Sequence, residues 1–196
     1  MKKIFSALFL FAPVIVGAQN KLTGPNVKLV PSITTDIEKV ARDYNDHFEN
    51  IRGEQISETE NIVEYASKIN PLEALESSII QIKSLENSYS WQTVMLYTEN
   101  FNEAAAKYKQ LYRQLTGGKF SMKNGKSYKL SGLYDTPEQS RTFASTLLSL
   151  GTEETQLKDF KVELALNYSI PEWIVKIYVY EKEDDEDMRP TVNNDY

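Results

Sequence analysis

The clearest periodic signal in the chain is the apolar series Phe101, Ala104, Ala105, Tyr108, Leu111, Tyr112 and Leu115. That spacing forms one stripe on a helix of 3.6 residues per turn and predicts a helix over 101–117. Asn100 is placed to cap its first turn and Gly117 to end its last. An earlier stretch has the same phase: Ile37, Val40, Ala41, Tyr44, Phe48 and Ile51, then Gly53. It predicts a first helix over 36–51, with Thr35 and Glu38 as a capping box or Asp36 as a rival cap. Burying that stripe contributes roughly 10 kcal/mol gross, most of it offset by the entropy of ordering the chain.

Elsewhere the period shifts to two. Residues 119–123 and 126–130 alternate on either side of Asn124-Gly125, the strongest short-range hairpin signal, because both central residues of the turn need positive φ. A weaker hairpin is expected from 55–57 and 62–65. Asn70-Pro71-Leu72-Glu73 and Thr136-Pro137-Glu138-Gln139 each put Pro after a capping residue, which reads as a helix start. The second of these is expected to continue as a helix through Phe143, Leu147 and Leu150 to Gly151. Each half then closes with a strand pair, 78–85 with 91–98 and 160–168 with 173–181, the latter turning at Ile170-Pro171. Trp91 and Trp173, the only tryptophans, each open the last strand of a half.

Together these signals predict an α+β fold: a tandem duplication of a helix-hairpin-helix-hairpin unit with an antiparallel sheet and helices packed on one face. The expected domain plan is a signal peptide at 1–18, an extended linker at 19–33, a first α+β repeat at 34–99, a second at 100–182, and a disordered acidic tail at 183–196.

The address comes from the N-terminus. Lys2 and Lys3 precede the apolar run 4–16, and Val16-Gly17-Ala18 supplies small residues for cleavage. The run is too short for a spanning helix, so it reads as a secretory signal. No second long apolar run follows, and no membrane-spanning segment is expected after cleavage. An exported location, periplasmic or extracellular, is therefore predicted. The chain has no Cys, so stability must come from its core rather than from disulfides. The same absence removes thiol nucleophiles and thiolate metal sites.

Net charge is −6 for the whole chain, and the signal holds two of its lysines, so the remainder is more acidic still. Nucleic-acid binding is not expected, since the basic footprint it requires is missing. The run Glu181-Lys182-Glu183-Asp184-Asp185-Glu186-Asp187 could in principle hold a hard cation, but it lacks the spacing and turn Gly of an ion-wrapping loop. It reads as solvated tail. His47, the only His, reads as a residue at the edge of the apolar stripe rather than as a base or ligand. No serine-hydrolase, zinc or phosphate-loop motif occurs, and no cofactor is expected.

The chain holds 12 Tyr. On the last strand, Trp173, Val175, Ile177 and Val179 fall on one face, and Ile174, Lys176, Tyr178 and Tyr180 on the other. The second set is the candidate binding face, because Tyr offers large amphipathic contact area at low entropic cost. It could equally serve as an interface between the two repeats. The functional expectation is an exported, non-catalytic binding protein of the cell envelope, with a protein or an envelope polymer as partner. Two other classes stay open: a carboxylate-dependent hydrolase of an envelope or extracellular polymer, and a proteinaceous inhibitor of an exported enzyme.

Overall fold

A computed structural model describes residues 33–83, 88–123, 125–152, 154 and 157–181. The signal-peptide and acidic-tail expectations, and the linker as far as Ser32, lie outside these residues. In chain order the described elements are α1 (Ile33–Asp43), a single 3-10 turn (Tyr44–Asp46), β1 (Arg52–Glu58), β2 (Ile62–Ser67), β3 (Glu76–Ile82), β4 (Ser88–Thr98), α2 (Phe101–Gly117), β5 (Phe120–Ser121), β6 (Ser127–Tyr128), β7 (Phe143–Ser149), β8 (Phe160–Ser169) and β9 (Glu172–Glu181). Seven strands form one antiparallel sheet in the order β1-β2-β3-β4-β9-β8-β7, and β5-β6 form a separate two-stranded ribbon.

The expected helix-hairpin-helix-hairpin α+β duplication is therefore corrected: among the described residues the chain is mostly antiparallel sheet, with nine strands and two α-helices. The second helix of the supposed unit forms in neither half. Residues 143–149 are β7, paired with β8 from Phe143↔Asn167 to Ser149↔Lys161. The stretch supports two periods at once. Phe143, Leu147 and Leu150 suit a helix, whereas Ala144, Thr146, Leu148 and Leu150 suit a strand, and the second set is the one buried. Seven cross-strand pairs and several hydroxylated residues favour the strand. In the first half, Pro71 opens only a turn, closed by Ala74 N–H donating to Pro71 O at 3.0 Å.

The first helix is also shorter than its pattern. It ends at Asp43 because that residue's carboxylate recruits the returning chain. It accepts hydrogen bonds from Asn50 N at 3.0 Å and Ile51 N at 3.2 Å. His47 and Phe48 turn the chain with positive φ, 51° and 59°. Yet Ile37, Val40, Ala41, Tyr44, Phe48 and Ile51 are all buried. The stripe reported burial correctly and conformation only in part. Helix α2 spans the expected residues, with Asn100 Oδ1 accepting from Asn102 N and Glu103 N.

Strand pairs β3-β4 and β8-β9 match the alternating runs closely. What joins the two halves is the pairing of β4 with β9, from Ser90↔Tyr180 to Thr98↔Trp173, with a bulge between Val94 and Leu96. One face of this sheet, termed inner here, carries Trp91, Val162, Leu164, Leu166, Val175, Ile177 and Val179, all sealed from solvent. Helical side chains reach the same face. Tyr44 meets Phe160 edge-on at 5.1 Å, Phe101 meets Trp173 at 5.0 Å, and the Tyr108 hydroxyl lies 2.7 Å from Thr146 Oγ1. Neither sheet edge is a clean pairing template. On β7, Ser131 and Ser149 exchange backbone hydrogen bonds at 2.9 Å, and Gly132 passes so close that a Cβ there would lie 2.1 Å from Leu147 O. Strand β1 is broken by register shifts on either side of Gln55.

Candidate functional site: the outer face of the sheet

Successive side chains of a strand point to opposite faces, so the register fixes what accompanies each candidate residue. On β9, Ile174, Lys176, Tyr178 and Tyr180 stand on the outer face, opposite the sealed inner row. The sheet places them in its interior, with β4 on one side and β8 on the other. Ile174 lies between Tyr97 and Asn167, Lys176 between Val94 and Ala165, Tyr178 between Gln92 and Glu163, and Tyr180 between Ser90 and Lys161. The four sequence candidates thus form one continuous row. Helix α2, through Phe101 and Tyr108, and the 3-10 turn, through Tyr44, make their sheet contacts on the inner face.

Burial divides the row. Tyr180 is 7% exposed, while Ile174, Lys176 and Tyr178 are half-buried. Tyr180 is held: its hydroxyl donates to Glu163 Oε2 at 2.8 Å, and Ser145 Oγ donates to the other oxygen of the same buried carboxylate. Both Glu163 oxygens are thereby satisfied, which a buried carboxylate needs. Tyr178 carries no such anchor. Burial, then the nearby Glu163 and Tyr97, push its phenol up to about 12.

Lys176 is the unusual member. Burial pushes its ammonium below the ordinary lysine range, and Glu76 and Glu64 oppose that shift without reaching it. It makes no hydrogen bond or ion pair with any described residue. Two further polar atoms on this face are buried without a partner, Ser90 Oγ and Asn167 Oδ1. A small concavity of about 70 Å3 adjoins the row, lined by Ile56, Glu64, Glu76, Ser78, Gln92 and Val94. At its rim Tyr97 donates to Glu76 Oε1 at 2.8 Å. Burial, that hydrogen bond and charge from Glu76 and Glu172 push Tyr97 up to about 12.

Ser90, Gln92 and Val94 join the site through the pairing of β4 with β9, strands far apart in sequence, and no local pattern marks them; Glu163 and Asn167 come from the expected β8-β9 strand pair. His47 sits elsewhere, exposed, with its ring 5.4 Å from that of Tyr89, over which Arg52 also lies. Among the described residues no group of three or more His, Asp or Glu is placed to hold a metal ion, and no helix is long and apolar enough to cross a membrane.

The buried carboxylates do not face one another across a cleft. Asp36 pairs with Lys39 at 2.8 Å, Asp43 holds the turn after α1, and Glu163 holds Tyr180 and Ser145. Comparison with family models, with curated proteins and with solved structures returns no match.

Proposed function

We propose that this is an exported, non-catalytic binding protein whose outer sheet face engages a protein or an envelope polymer in the periplasm or outside the cell. The observation that carries the reading is Lys176. An ammonium half-buried among Val94, Ile174 and Tyr178 without an ion pair is costly to the fold alone. That cost is explicable if a bound group supplies the missing acceptor. Ser90 Oγ and Asn167 Oδ1, also buried without partners on this face, support the same reading. The hydrolase alternative draws no support from the three buried carboxylates, each engaged in a local structural bond.

The test uses residues 19–196 and a Lys176→Gln, Tyr178→Ser double variant, each immobilised and exposed to soluble and insoluble envelope fractions of the producing cell. Retention of one component by the native protein, reduced at least tenfold by the double variant, is the expected result. Equal retention by both, or consumption of a polymer by the native protein, contradicts it.

A further inference from the structure

The exposed apolar side chains are not scattered. Of the eight large ones among the described residues, five gather at one end of the sheet: Leu72 at 55%, Leu75 at 58%, Tyr97 at 39%, Tyr168 at 37% and Ile170 at 87% exposed. The register shows why they are neighbours. Leu75 N donates to Val94 O at the start of β3. Tyr97 pairs with Ile174 on the outer face, and Tyr168 pairs with Trp173 on the inner face and stacks on it at 4.8 Å, so the two tyrosines flank the strand ends from opposite sides. Ile170 sits in the turn between β8 and β9. Four adjacent strand ends at about 4.8 Å spacing span on the order of 15 Å. Exposed apolar side chains gathered at one end of a sheet point to a site of interaction.

The patch has a predominantly acidic rim. Glu76, Glu99, Glu103 and Glu172 stand at the same strand ends and at the start of α2, and none is in an ion pair with a described residue. Of the cations near these strand ends, Lys107 holds Glu73 at 2.7 Å and Arg141 holds Asp135 at 2.8 Å, which leaves the single half-buried Lys176 of the outer row against four carboxylates. The Tyr97 phenol is raised by burial first, then by its hydrogen bond to Glu76 and by charge from Glu76 and Glu172.

We infer that this end of the sheet docks a partner protein through a surface that presents apolar side chains framed by Lys and Arg. Apolar contact supplies the attraction at the centre, and the carboxylate rim selects and steers a basic partner. The same rim repels an anionic membrane surface, which separates a protein partner from a lipid one. The inference rests on reading the chain as a binding protein, and it adds a second surface and the chemistry of its occupant.

The experiment titrates residues 19–196 with a fluorescent peptide of alternating leucine and lysine, its leucine-glutamate counterpart, and vesicles of phosphatidylcholine with or without phosphatidylglycerol. Saturable binding of the lysine peptide alone is expected. A Leu75→Asp, Ile170→Asp double variant should weaken it at least tenfold, and Glu99→Gln with Glu172→Gln at least threefold. These positions are solvent-facing or half-buried, so thermal melting should leave each variant folded. Unchanged binding in the end variants, equal binding of the glutamate peptide, or vesicle association overturns the inference. If only Lys176→Gln with Tyr178→Ser abolishes binding, the end surface is refuted and the outer-face reading stands. If neither pair of substitutions affects any probe, both fall.

Discussion

The two faces of the sheet are built from the same strands and to different rules. On β9 the inner row Val175, Ile177 and Val179 is wholly apolar and fully sealed. One residue along, the outer row mixes a lysine and two tyrosines with an isoleucine, and its polar groups are unevenly satisfied. Tyr180 and Ser145 saturate Glu163, while Lys176, Ser90 Oγ and Asn167 Oδ1 go without a described partner. Burial without satisfaction is the mark of a surface not optimised for the isolated fold. The inner face is where folding free energy resides, and the outer face is where the chain tolerates a cost.

The comparison is broken most forcefully on the inner side. Trp91 is wholly buried and its indole N–H donates to Ser67 Oγ at 2.9 Å. Trp91→Ala should cost about 3–5 kcal/mol, read as a fall in the urea midpoint. A loss below about 1 kcal/mol would mean the inner face is not the principal core.

A smaller effect is expected at a well-satisfied outer group. Glu163→Ala leaves the Tyr180 and Ser145 hydroxyls without their shared acceptor and should cost about 1–3 kcal/mol. Glu163→Gln, which keeps an acceptor, should cost less. Equal loss from both would show that charge rather than hydrogen bonding holds the cluster.

Alkaline titration sharpens the contrast further. The folded Tyr178 phenol ionises near 12 rather than at its ordinary value of 10.0. The unfolded chain therefore loses its proton first, and this contribution is intact below about pH 10 and is lost as pH rises toward 12. Tyr178→Phe should flatten part of the decline in stability above about pH 10, since Tyr44, Tyr97, Tyr108 and Tyr134 have raised phenols too. An unchanged slope would place Tyr178 in water.

How far the sequence reached can be judged from particular stretches. Strands β8 and β9 alternate strictly, and every inner residue except Tyr168 at the strand end is buried, so local pattern was enough. Helix α2 carries both a full stripe and a capping Asn. Residues 44–51 kept their burial and lost their helix because one carboxylate, that of Asp43, captured the returning amides. Residues 143–149 fit two periods, and only the neighbouring β8 decided between them. The candidate row on β9 was legible as one side of a strand. Its setting was not, because the pairing of β4 with β9 joins residues whose separation in sequence leaves no local trace. The exposed end of the sheet was hidden for the same reason: Leu75, Tyr97 and Ile170 become neighbours only once strand order is known.

The most direct test compares two adjacent residues of β9 by urea denaturation. Ile177→Ala on the inner face should lose about 2–5 kcal/mol, whereas Lys176→Met on the outer face should leave stability unchanged or raise it, since it removes a buried ammonium that no described group pairs. A Lys176→Met variant as unstable as Ile177→Ala would show that the outer lysine serves the fold itself, and the distinction between a built face and a binding face would not stand.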